Sequence, residues 1–331
     1  MATTNFDRYD VGDNVREDLS DTITNIAPTE TPFCSIICGR GPGAESTYVE
    51  WVIDDLDTVD TSNARVDGAD AGSDTSSKGT RVGNYCQISD KPIKVSGRAD
   101  AVRKAGRKQE LGYQLIKAGK KLKRDMEAIL TANQASAAGD SSTASTAGSL
   151  RAWLATNDDL NTGGISGGFS GDTVSAATDG TTRALSEADL LTIVKQCYEQ
   201  GGEPDTIMVS PSVKQELSLY LFSSTARIAT PYNDARGEEQ AMSAIAAIDV
   251  YVSDFGKLVI RPNRFQRDRD VFVLDSNLWQ LSYLRPMKVN KLAKTGDAEN
   301  RQLIVDYTLR SLNEAGSGVV ADVDHTAAVT A

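Results

Sequence analysis

Residues 98–133 read RADAVRKAGRKQELGYQLIKAGKKLKRDMEAILTAN, the longest segment of the chain with a helical period. Leu111, Leu115, Ala118, Leu122, Met126, Ile129 and Leu130 recur at three- and four-residue steps, so one face of the predicted helix is apolar. The other face is basic. Arg98, Arg103, Lys104, Arg107, Lys108, Lys117, Lys120, Lys121, Lys123 and Arg124 are opposed between 98 and 124 only by Asp100 and Glu110, in a protein of formal net charge -11. Such a local surplus of cations needs an anionic partner, either nucleic acid or an acidic surface of another copy of this chain.

A length of 331 residues with 40% hydrophobic side chains builds a sizeable core and about two domains. The acidic balance argues against a dedicated nucleic-acid binder, yet leaves room for one basic face. Cys34, Cys38, Cys86 and Cys197 form no CxxC pair and have no histidine nearby, so no zinc site is expected. Reduced, buried thiols in a reducing cytoplasm are expected in preference to a Cys34–Cys38 disulfide. The sequence shows no secretory signal and no apolar run of the roughly 18 residues a membrane span needs.

Residues 1–45 read as an N-terminal arm, with a short helix from Asp13 to Ile26 and then Pro28 and Pro32. In 46–96, strand-like runs at Tyr48–Ile53 and Tyr85–Val95 flank some thirty residues without periodicity, as in a very long hairpin. Between 54 and 74 that connection carries Asp54, Asp55, Asp57, Asp60, Asp67, Asp70 and Asp74 against Arg65 alone. Its acids miss the spacing of a calcium loop. Residues 135–182 are rich in Gly, Ser, Thr and Ala and read as a flexible excursion that buries little. From 183 to 286 the pattern is a compact α+β region. Ser186 caps a helix that stops at Gly201-Gly202, Thr206–Val209 is a strand, Ser210-Pro211 opens another helix, and strands follow at 248–252, 258–260, 271–274 and 279–284. Within 287–331, Gln302–Ser311 alternates, with Leu303, Val305, Tyr307 and Leu309 on the face expected to return to the long helix.

Catalytic constellations are missing from the sequence. The only histidine, His325, lies in a tail of Ala, Thr and Val, so a nucleophilic triad has no base. No GxxxxGK[ST] occurs, and Gly39, Gly41 and Gly43 follow no strand and are interrupted by Pro42. No enzyme activity, cofactor or metal is expected. The run Arg261, Arg264, Arg267, Asp268, Arg269, Asp270 suits phosphate and a salt-bridged subunit edge equally.

The order of parts, an arm, a long acidic two-stranded loop, a long helix, a compact α+β domain and a strand returning to the helix, resembles the major capsid proteins of tailed bacteriophages with the Hong Kong 97 fold. Three strings resemble the family related to the capsid protein of phage SU-ten: GEPDTIMVSP at 202–211, DVYVSDFG at 249–256 leading through Pro262-Asn263-Arg264 to Leu284-Arg285-Pro286, and LAKTGD at 292–297. The resemblance implies an N-arm at 1–45, an extended loop at 46–96, a peripheral domain with spine helix at 97–134 and 287–331, and an axial domain at 183–286. It implies a shell of pentamers and hexamers around non-specifically held double-stranded DNA, assembled in the bacterial cytoplasm, with portal and scaffold or cement proteins as partners and no membrane.

In that family the extended loop lies across a neighbour, so here the acids from Asp54 to Asp74 are expected to approach the basic face at Arg103, Lys104, Arg107, Lys108, Lys117, Lys120, Lys121 and Arg124. The charges would set register, with Trp51 and Ile53 supplying apolar contact. The competing assignment turns the basic face toward packaged DNA. A minor virion or scaffold-type component that forms no shell alone is the alternative function.

Overall fold

The computed structural model describes residues 27–56, 58–68, 70, 78–102, 109–223 and 249–329, without the side chains of 221–223. The expected helix from Asp13 to Ile26, and Asp57, Asp74, Arg103, Lys104, Arg107 and Lys108, lie outside these residues.

In chain order the elements are α1 (Pro32–Ile37), β1 (Tyr48–Ile53), β2 (Thr80–Tyr85), β3 (Gln87–Ser96), α2 (Gly97–Ala101), α3 (Glu110–Leu130), α4 (Leu150–Trp153), β4 (Asp158–Asp159), β5 (Gly168–Ser170), β6 (Thr173–Ser175), α5 (Glu187–Glu199), β7 (Thr206–Val209), α6 (Pro211–Ser223), β8 (Val250–Ser253), β9 (Gly256–Pro262), β10 (Val271–Leu274), β11 (Trp279–Lys291), β12 (Ala298–Ser311) and β13 (Gly318–Val320). The long helix is shorter than its period implies. Ser96 caps α2 by accepting from the Ala99 N–H at 3.1 Å, and α2 ends at Val102 in extended conformation, so α3 starts afresh at Glu110.

The expected hairpin also needs correction. β1 pairs antiparallel with β2, from Tyr48↔Tyr85 to Ile53↔Thr80, so its partner is the end of the acidic connection. The run Tyr85–Val95 is divided at Cys86, whose N–H donates to the Thr47 carbonyl at 2.8 Å. Beyond it, β3 pairs with β12, from Gln87↔Tyr307 to Ser96↔Ala298. As an edge of the sheet β11-β12-β3, β3 tolerates Pro92. The closing strand does return to the helix: Leu303, Val305, Tyr307 and Leu309 share one core with Ala118, Leu122, Met126 and Leu130.

A six-stranded mixed sheet, β4-β13-β10-β7-β9-β8, is the second organising layer. Its central strands are buried on both faces, and their side chains alternate between two cores. Met208, Phe272, Leu274 and Val319 point into the core shared with α3. Ile207, Val209, Val271, Val273 and Val320 point into a second core with Leu190, Ile193, Val194 and Cys197 of α5 and Val213 and Leu217 of α6. Ser186 caps α5, accepting from the Ala188 N–H, and Gly201 ends it at φ +83°, both as the sequence predicts.

Residues 135–182 are no loose excursion. Leu150, Ala152, Trp153 and Leu154 are fully buried in the first core. The small residues around them permit close backbone approach: a Cβ on Gly167 would meet the Ser175 and Ala152 carbonyl oxygens at 2.5 and 2.7 Å. β13, in the C-terminal segment after Leu312, is inserted into the six-stranded sheet between β10 and the edge strand β4.

Candidate intersubunit surfaces

The acidic loop leaves the body where β1 and β2 end. Trp51 lies at its root and is 6% exposed, with its ring 5.6 Å from that of Trp153 and the Arg310 guanidinium 5.3 Å away on the ring face. Trp153 in turn stacks on Phe169 at 5.8 Å. Trp51 therefore anchors the loop within its own subunit and presents no free apolar area, contrary to the role expected for it. Ile53 is half-buried and packs on the same core.

Past this root, Asp54, Asp55, Asp60, Asp67 and Asp70 are all exposed. Asp60 accepts from the N–H and hydroxyl of Ser62 at 2.8 and 2.6 Å, which holds its carboxyl below the usual range. Leu56, Val59 and Val66 are 100%, 91% and 81% exposed. A loop that carries carboxylates and free aliphatic side chains together has the composition of a contact surface.

The outer face of α3 carries the complementary mixture. Lys117, Lys120, Lys121 and Lys123 are exposed and make no ion pair among the described residues, and Ile116 among them is 67% exposed. Arg124 is set apart: its guanidinium lies 5.2 Å over the Phe265 ring and is half-buried. The lysines at 117, 120 and 121 thus remain available, while Arg124 is engaged in its own fold.

Buried polar groups hold these surfaces in place. Glu127, on the inner side of α3, accepts from the N–H of Phe33 at 2.8 Å, the N–H of Cys34 at 2.7 Å and the Asn263 amide at 2.7 Å. Its carboxylate caps α1, whose own N-cap Thr31 makes no side-chain bond. Burial raises the Glu127 pKa, and the hydrogen bonds from Cys34, Phe33 and Asn263 oppose that rise.

The arginine run resolves into two pairs of different character. Arg261 and Arg264 are exposed. Arg267 bonds Asp179 at 2.5 Å and lies 3.3 Å from Asp270, while Arg269 bonds Asp322 at 2.6 Å. Arg151, wholly buried, lies 3.8 Å from Asp270. Asp322, at φ +60°, also accepts from the N–H groups of Gly180 and Asn161, so one carboxylate fastens 161–180 to the sheet.

The partners of Glu127 and Asp322, and the Asp270 partner of Arg151, cannot be read from spacing, because each is distant in sequence. One signal was available for Glu127: it stands between Met126 and Ile129-Leu130, where the helical period brings it onto the buried side.

Comparison with known proteins identifies what these surfaces belong to. The family model described as SU10 major capsid protein matches residues 1–324. The major capsid protein of Escherichia phage Phieco32 is 28% identical over 341 residues, covering 90% of this chain and 91% of that one. The fold is similar to that in the cyanophage A-1(L) capsid asymmetric unit, with TM-score 0.62, 12% identity, and 93% and 97% of the two chains covered. For the capsid of the native GTA particle the TM-score is 0.58 at 14% identity, covering 95% and 97%. For Mycobacterium phage Bobi it is 0.56 at 14% identity, covering 96% and 98%. The architecture is therefore the α+β Hong Kong 97 fold of phage capsid subunits. With the family model spanning nearly its whole length, the chain belongs to the SU10 major capsid protein family and forms, in many copies, the capsid of a tailed phage.

Proposed function

We propose that this capsid subunit joins its neighbours by laying the acidic loop of one copy, Asp54 to Asp74, on the basic outer face of α3 of the next. Pentamers and hexamers built this way enclose double-stranded DNA and meet a portal and scaffold or cement proteins at specialised positions. In this reading 46–96 is the extended loop, α3 the spine helix and 183–286 the axial domain, and the subunit acts as a structural component without catalysis.

One observation carries the choice of partner. Leu56, Val59 and Val66 stand free among the loop acids, and Ile116 stands free among Lys117, Lys120 and Lys123. Apolar side chains gain nothing from a phosphate backbone, whereas pairing them across copies removes them from water at about 25 cal/mol per Å². The exposed ion pairs, each worth roughly 0–1 kcal/mol, set register and partner choice. The role assigned to Trp51 thus passes to aliphatic residues farther out on the loop.

The lysines themselves suit phosphate as well, which keeps DNA as the second reading. Charge reversal separates the two. In Lys120→Glu/Lys121→Glu subunits, assembly itself is expected to fail; shells that assemble normally and lose stability only when filled would assign the face to DNA. A structure of the assembled shell provides the direct check, because loop carboxylates more than about 8 Å from every cation of a neighbour, roughly one screening length, would remove the proposal.

A further inference from the structure

The chain contains two Asp-Gly pairs, Asp67-Gly68 and Asp179-Gly180. Chemically they are the same dipeptide, and the fold treats them oppositely.

At Asp179-Gly180 every reactive group is engaged. The Asp179 carboxylate bonds Arg267 at 2.5 Å and lies 3.5 Å from Arg269. The Gly180 N–H donates to Asp322 at 2.9 Å, and the Gly180 carbonyl accepts from Arg269 at 2.6 Å. The site is also crowded: a Cβ on Gly180 would lie 2.7 Å from both the Asn161 carbonyl oxygen and the Asp322 carboxylate. Although burial alone would push Asp179 up, the hydrogen bond and charge of Arg267 bring it below the usual range and keep it ionised.

At Asp67-Gly68 none of these restraints is present. Both residues are exposed in a turn, and Asp67 makes no hydrogen bond or ion pair among the described residues. Gly68 has φ +78°, with nothing within 4 Å of the position a Cβ would take. Among the described residues the Gly68 N–H has no hydrogen-bond partner and no side chain crowds it.

We infer that Asp67 is a site of spontaneous isomerisation to isoaspartate, and that Asp179 is protected from the same reaction by the fold. The Gly68 amide nitrogen attacks Cγ of the Asp67 carboxylic acid. A Cγ–N bond forms, the bond from Cγ to the hydroxyl oxygen breaks, and the amide proton leaves with that hydroxyl as water. Water then adds to the main-chain carbonyl of Asp67 in the resulting succinimide and breaks its bond to the Gly68 nitrogen. The chain thereafter runs through Cβ and Cγ, one methylene longer, with the carboxylate displaced to Cα. Mass is unchanged, and no oxidant or other reagent takes part.

This site lies on the loop assigned above to the neighbour contact, so isomerisation would alter the length and charge placement of that contact as shells age. Only this consequence rests on the proposed function.

The test is incubation of the purified full-length protein in mildly acidic and neutral buffer at elevated temperature. Tryptic mapping then follows the peptides 66–78 and 152–183 by fragmentation that distinguishes isoaspartate, together with isoaspartyl methyltransferase labelling. Isoaspartate at 67 is expected to exceed that at 179 by about tenfold or more, since reaction at 179 first requires local opening of charged hydrogen bonds. Asp67→Glu, which keeps the charge and disfavours the five-membered ring, should abolish the signal in 66–78. Equal accumulation at both sites, or none at 67 while 179 reacts, would overturn the inference. A separate arm compares free subunits with assembled shells. Slower reaction in shells supports seating of the loop on a neighbour, whereas equal rates count against that docking and leave the isomerisation itself standing.

Discussion

Asn263 donates its side-chain amide to the Glu127 carboxylate at 2.7 Å, across 136 residues of sequence. With the Phe33 and Cys34 N–H groups on the same carboxylate, this bond joins α3, the residue that follows β9 and the first turn of α1 at one buried point.

Truncation at that point should be severe. Glu127→Ala leaves two backbone donors and one amide unsatisfied in the core, and is expected to destabilise the subunit by about 3 kcal/mol or more. Glu127→Gln keeps one acceptor oxygen but turns an amide donor toward other donors, so an intermediate loss of about 1–2 kcal/mol is expected. Urea unfolding followed by circular dichroism measures both, and a neutral Glu127→Ala would show that α1 is held by its apolar contacts alone.

Asp270 gives the protein a pH dependence of defined sign. Burial pushes it up to about 6, with Arg267 and Arg151 opposing the shift, against an ordinary value of 3.8. A raised acid binds its proton more tightly in the folded state, so this site's contribution is full below the unfolded value and is lost as pH rises through the folded one. Between pH 3.8 and about 6 the stability of the wild type relative to Asp270→Asn should therefore fall as pH rises, by at most about 3 kcal/mol. A difference that stays flat across this window in urea titrations would refute the assignment.

Trp51 and Val52 are neighbours with opposite roles. Trp51→Ala removes a buried ring from between Trp153 and Arg310 and should cost about 3–5 kcal/mol of subunit stability, visible as a lower melting temperature before any assembly. Val52 points the other way and is exposed, so Val52→Ala should leave the melting temperature within experimental error.

The four thiols should divide one against three. Cys38 is exposed, whereas Cys34, Cys86 and Cys197 are buried and all four are free. Burial raises the Cys34 thiol well above its usual range and pushes Cys86 and Cys197 up to about 12, which disfavours the reactive thiolate. Native labelling with a maleimide should modify Cys38 rapidly and reach the others only on unfolding.

Much of the fold was legible because it depends on local period. The apolar face of α3, the alternation of β12, and the caps of α5 and α6 follow from spacing alone, and their order along the chain carried the resemblance that the strings sharpened. The outline of 135–182 was misread for a physical reason. Small residues look unstructured when judged by what they can bury, but here they permit backbone contacts around Trp153, which does the burying. The division of Tyr85–Val95 was hidden because its first residue, Tyr85, ends the strand paired with β1, while everything from Gln87 onward pairs with β12 in one continuous run. Within the candidate surfaces, the acids and lysines were readable as charge. Which aromatic side chain faced inward was not, because alternation along β1 does not say which side of the ribbon meets the body.

The alternation of Phe272 and Val273 between two cores has a mechanical consequence. A central sheet gripped on both faces leaves no greasy plane along which the α3 half could slide over the α5–α6 half. Outward pressure on the shell would then be borne by the subunit as a single stiff plate. Yielding would begin at the joints between plates before any seam opened within one.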